Sequence, residues 1–223
     1  LLCIVLCIDC IHTQKKHVHE SLRGGAVCDS TSNFEENVTL NPNPENYNYN
    51  TGILVQMPGD GNCGYSCIAH FLSGDMVLRT TALNALNLLR MFIGDQQCIL
   101  SGANLRKLFH EQLVKGTDLY TYLTEEKKIS AEMICRVQNR ASYSPEDARG
   151  WAHGDEFTIL GTLFDICIVI YAEHVNTGEP RWTEWGSANS AETCYIFNHR
   201  LYDVEQGLYD GMHFDILTDL KLL

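Results

Sequence analysis

Two short stretches of this sequence hold residues suited to covalent chemistry. In MPGDGNCGYSCIAHFL (57–72), Cys63 follows an Asp60-Gly61-Asn62 turn and opens a helical repeat. A cysteine attacks as its thiolate, and the unsatisfied N–H groups at a helix N-terminus favour that form. The same amides suit a developing oxyanion, because Gly61 in the turn reaches backbone conformations closed to other residues. One segment thus offers a nucleophile and oxyanion donors together.

The second stretch is HFDILTDL (213–220). Side chains alternate along a strand, so His213 and Asp215 project to one side while Phe214 turns to the core. A carboxylate beside an imidazole accepts its N–H, fixes the tautomer and stabilises the imidazolium. His70 lies on the Cys63 helix about two turns on, roughly 10 Å away, too far to serve as the base. His110, His153, His174 and His199 have no acid at a suitable spacing and are read as surface or packing residues, with His153 beside Trp151 held in reserve.

These residues need elements to position them. Tyr65, Ile68, Ala69 and Leu72 give the first helix one buried face, and Ser73-Gly74 ends it. Further helices are predicted at about 76–93, 104–114 and 157–164, the last with Asp155 as cap. Strands are predicted at ILVQM (53–57), ICIVIYA (166–172), TCYIFNH (193–199) and HFDILTDL, with the second of these central and buried. This order makes an α+β or mixed α/β fold. Residues 12–50 are polar and aperiodic, so 1–50 reads as an irregular N-terminal extension and 51–223 as the domain.

Composition bounds the function. A chain of 223 residues buries a core without staples, and its ten cysteines sit mostly alone in apolar runs, which suits a reducing cytoplasm. Cys3, Cys7, Cys10 and His12 match no common zinc spacing, so no metal is expected. A net charge of −12 with 16 scattered Lys and Arg argues against nucleic acid and favours a basic partner. LLCIVLCIDCI is too short to span a bilayer, and the absence of an initial Met suggests a piece of something longer.

The quoted residues resemble a known family, the ovarian-tumour (OTU) cysteine proteases, most of which are deubiquitinases. GDGNC (59–63) and HFD (213–215) match its two terminal motifs in order, and GWAHGDEFTILGTLFDICIVIYA (150–172) is similar to the viral members. The resemblance implies an α+β domain with a central β-sheet flanked by helical subdomains. It implies Cys63 as nucleophile, His213 as base and then acid, Asp215 as the orienting residue, and an oxyanion loop of Asp60, Gly61 and Asn62. Trp151 matches a residue near the groove for the substrate's C-terminal Gly-Gly. Gly64 replaces the family's bulky apolar residue and costs about 1 kcal/mol of helix propensity relative to Ala, so the start of the helix is expected to pack differently. Cys67 stands where a small Ser or Ala is common.

Three functional expectations follow from the resemblance. The first is a deubiquitinase that needs no cofactor and acts on ubiquitin or ubiquitin-like modifiers, whose basic tail suits an acidic chain. The second is a viral polyprotein protease in the host cytoplasm that cuts after Gly24-Gly25, because SLRGG (21–25) matches the end of ubiquitin. The third is an inactive ubiquitin-binding module.

Overall fold

The computed structural model describes residues 34–42, 46–74, 87, 101–174, 177–199 and 213–222. The chain divides into Leu1–Ser32 and Asn33–Leu223, and the described residues belong to the second unit. Gly24, Gly25 and all but one residue of the helix predicted at 76–93 lie outside the described residues.

Six strands form one sheet: β1 (Glu35–Thr39), β2 (Tyr49–Val55), β3 (Cys167–Glu173), β4 (Pro180–Gly186), β5 (Thr193–Asn198) and β6 (Phe214–Leu222). Their order is β1-β2-β6-β5-β3-β4. Every pairing is antiparallel except β3 with β5. The apolar, β-branched run of β3 is buried almost throughout, as a strand between two neighbours requires. β1 and the start of β2 correct the expectation of an irregular extension to Asn50. Glu35–Thr39 pairs with β2 as an edge strand, and its polar residues hide it from a search for apolar alternation.

Among the described residues the α-helices are α1 (Cys63–Ser73), α2 (Gly102–Gln112), α3 (Asp118–Thr121), which runs into a π turn (Tyr122–Glu126), α4 (Ala131–Ala141) and α5 (Gly154–Phe164). Ser101, Thr117 and Ser130 cap α2, α3 and α4 by accepting a backbone N–H. The helical faces join one side of the sheet in a single core: Tyr65, Ile68, Leu72, Leu108 and Phe109 lie with Ile168, Ile196 and Ile216. Alternate residues of the same strands, Leu54, Tyr171, Tyr195, Phe197 and Leu217, form a smaller aromatic cluster on the other side.

α5 is capped differently from expectation. His153, not Asp155, is the N-cap, and Glu156 reaches back to accept its N–H at 2.9 Å. Asp155 and the fully buried Glu156 instead clamp α5 to α4. Arg140 donates to Glu156 at 2.6 and 2.9 Å, and Arg136 and Arg140 both donate to Asp155. Arg136 leads the groups that hold the Asp155 carboxyl down to about 2. A buried carboxylate persists only when paired in this way.

Candidate active site

The approach to α1 is fixed by backbone geometry. Asp60 Oδ1 accepts the Asn62 N–H at 2.9 Å, closing a local turn. Gly61 sits at φ +78°, and a Cβ there would lie 1.8 Å from the Pro145 carbonyl oxygen. Only glycine therefore fits, both in conformation and in space. The buried Arg106 of α2 straddles this contact, donating through Nη1 to the Gly61 carbonyl at 3.3 Å and through Nη2 to the Tyr143 carbonyl at 2.7 Å. Trp151 donates its indole N–H to the Pro145 carbonyl at 2.9 Å. Trp151 and the turn thus meet the same carbonyl from two sides.

The chain leaves the turn through Asn62, the N-cap, whose side chain does not cap the helix. Cys63 is the first helical residue and is buried. Gly64 is closely surrounded: a Cβ added there would fall 2.8 Å from the Ala152 Cβ, 3.1 Å from Phe157 and 3.3 Å from Phe214. The space a bulky side chain would occupy is filled by Ala152 just before α5, by Phe157 of α5 and by Phe214 of β6, so the propensity cost of glycine is offset by packing. Cys67, one turn on, is completely buried, and burial pushes its thiol well up. It is a packing residue rather than a second nucleophile.

The residue just before β6 and the second residue of that strand supply the imidazole and the carboxylate. His213 Nε2 lies 3.1 Å from Asp215 Oδ1, and His213 is also hydrogen-bonded to the Cys63 side chain. With Nε2 on the carboxylate, Nδ1 is the ring nitrogen left for sulfur. The hydrogen bonds that His213 makes to Asp215 and then to Cys63 push it up to about 10, against the opposing effect of burial. The Asp215 side chain is only 2% exposed. Burial works to raise its pKa, but hydrogen bonds from His199, His213 and the Met57 amide outweigh this and hold the carboxyl far below the usual range.

Cys63, His213 and Asp215 therefore meet, although 150 residues separate the first two in sequence. Sequence reasoning misses His199. With no acid near it along the chain it reads as a surface or packing residue, yet its Nε2 lies 2.6 Å from Asp215 Oδ2. The acid sits across the ladder rather than along the chain: Phe197 pairs with Asp215, so the next residue on that face is His199. His70, at the other end of α1, is half-buried and lowered by that burial, and burial first, then Arg140, brings His153 down to about 4. Neither is placed as a base for Cys63.

No protein-family model matches this chain, and no curated protein matches it. Among solved structures it is similar to the OTU domain of OTUD1, at 13% identity and TM-score 0.39 over 74% of this chain and 85% of that one. It is similar to the viral OTU domain protease from Dera Ghazi Khan virus, at 17% identity and TM-score 0.36 over 83% and 86%. It is also similar to the Hazara virus OTU bound to ubiquitin, at 17% identity and TM-score 0.35 over 87% and 94%. Likenesses this distant leave the roles of individual residues to rest on the chain's own geometry.

Proposed function

We propose that this chain is a cysteine protease of the OTU type that removes ubiquitin by cleaving after its C-terminal Gly-Gly. The observation that carries the proposal is the hydrogen-bonded series Cys63, His213, Asp215 at the start of a helix. The match of GDGNC and HFD to the OTU motifs supports the substrate class.

The chemistry follows from the groups present. The Cys63 thiolate attacks the carbonyl carbon of the substrate's last glycine, and its oxygen takes up the negative charge. The donors proposed to stabilise that charge are backbone amides of Asp60, Gly61 and Cys63, since the Asn62 amide already donates to Asp60 Oδ1. As the intermediate collapses, the imidazolium of His213 gives its proton to the departing amine, leaving a thioester on Cys63. His213 then takes a proton from water, which attacks the thioester. The tetrahedral intermediate expels the thiolate and releases a carboxylate. Asp215 keeps the ring oriented and stabilises its charge in both halves.

The test is a ubiquitin probe carrying a C-terminal electrophile. It is expected to label the wild type through Cys63 and to leave Cys63→Ala and His213→Ala unlabelled. Labelling of Cys63→Ala at the wild-type rate removes Cys63 from the mechanism. A second reading, supported by SLRGG at 21–25, is that the domain also releases itself from a precursor after Gly25, in the cytoplasm of a host cell. Terminal sequencing of a longer precursor is expected to find Ala26 as the new first residue, and an intact Gly25-Ala26 bond after prolonged incubation rejects it.

A further inference from the structure

We propose that His199 is a positioning residue, whose Nε2–H holds one oxygen of Asp215 so that the other stays turned to His213. The inference rests on the protease reading above.

The division of the carboxylate carries it. Asp215 Oδ1 takes the Met57 amide at 2.5 Å and His213 Nε2 at 3.1 Å, while Oδ2 takes His199 Nε2 at 2.6 Å. The shortest side-chain contact on this carboxylate therefore comes from His199. A hydrogen bond to an ionised acceptor is about twice as strong as a neutral one, and here it is made to a side chain withdrawn from water. Without it, the carboxylate keeps both remaining donors on one oxygen and is free to turn about its Cβ–Cγ bond.

His199 is itself built into place. Its backbone N–H donates to the His213 carbonyl at 3.1 Å, so the two histidines face each other just past the ladder of β5 and β6. Its ring packs against Phe197 at 4.9 Å and against His213 at 5.4 Å between centroids. The titratable groups facing this cluster are Cys63 and Cys67 from α1, His213 and Asp215 from β6 and its approach, and His199 itself. The ring is 37% exposed, so replacing it leaves the core intact.

The atom involved makes the proposal sharp. The amide nitrogen of glutamine reaches about as far as histidine Nε2, whereas that of asparagine reaches only as far as Nδ1. His199→Ala, His199→Asn and His199→Gln are compared in the full chain by turnover of a fluorogenic ubiquitin amide. The pH dependence of Cys63 alkylation by iodoacetamide is read on the Cys63 peptide by mass spectrometry. For Ala and Asn, kcat is expected to fall about 10- to 100-fold with KM little changed, and the alkaline limb of the alkylation profile to move to lower pH. Gln is expected to restore most of both. Wild-type kcat and limb in His199→Ala overturn the proposal, as does a Gln variant no better than Asn. The protease reading fails separately, when alkylation of Cys63 in the wild type shows no dependence on His213.

Discussion

The two halves of the site are held by opposite means. At the start of α1 the backbone is the object and a side chain the clamp: the Gly61 carbonyl is gripped by buried Arg106, and the turn is pressed against Pro145. At the ends of β5 and β6 a side chain is the object: the Asp215 carboxylate is gripped by two imidazoles and a backbone amide. The first half is determined by shape, because no Cβ fits at Gly61. The second is determined by charge, because a buried carboxylate survives only with donors on both oxygens. Disturbing the first should therefore cost stability along with rate, and disturbing the second chiefly rate and pH dependence.

Asp215→Asn is the largest expected break. It removes the leading cause of the raised His213 pKa and lets the ring take the wrong tautomer, so kcat/KM of the ubiquitin amide is expected to fall about 10³- to 10⁴-fold. His213 keeps its proton up to about pH 10 in the wild type. In the variant it loses it nearer its ordinary value of about 6.5. The Cys63 alkylation profile reads this shift directly, and an unchanged alkaline limb contradicts it. Because the folded value lies above the unfolded one, the pairing also adds stability that is complete below about pH 6.5 and lost as pH rises through about 10.

Gly61→Ala tests the half determined by shape. The positive φ alone costs about 1–3 kcal/mol, and the contact with Pro145 adds to it, so a loss of about 3 kcal/mol is expected in denaturant unfolding. A variant as stable as the wild type would show that the turn moves freely and that shape is not the constraint.

Arg106→Met is the smallest expected change and separates the halves most cleanly. It leaves the Gly61 and Tyr143 carbonyls without their charged donor, at about 1–3 kcal/mol of stability. The alkaline limb set by His213 is expected to stay where it is. Movement of that limb would mean that the two halves are coupled through the turn.

Much of the site is legible in the sequence, and the parts that are not share a cause. Cys63 stands out because turn and helix signals surround it within a few residues, and His213 and Asp215 because two positions along one strand fix their common face. The α+β order follows from the buried run of β3 and the stripe of α1. His199 is not legible, since its acid lies sixteen residues on and is reached only through the β5–β6 register. β4 escapes because its apolar residues, Trp182 and Trp185, face opposite sides of the sheet among charges. α4 escapes because its buried stripe is only Ile134, Val137 and Ala141. The packing that accommodates Gly64 is out of reach too, because the side chains filling its space, Ala152, Phe157 and Phe214, come from distant parts of the chain.

β6 is the last strand in sequence but lies inside the sheet, between β2 and β5. The Met57 amide and the Asp215 carboxylate that it joins are 158 residues apart, among the longest closures in the fold. During synthesis, β2 and α1 leave the ribosome well before their partner exists, and the Cys63 thiol of a nascent chain lacks its hydrogen bond to His213 until residues beyond 213 have emerged and paired. The position of one strand thus works as a timer. On the protease reading, a domain wired this way completes its Cys63, His213 and Asp215 series only when its final strand has been inserted.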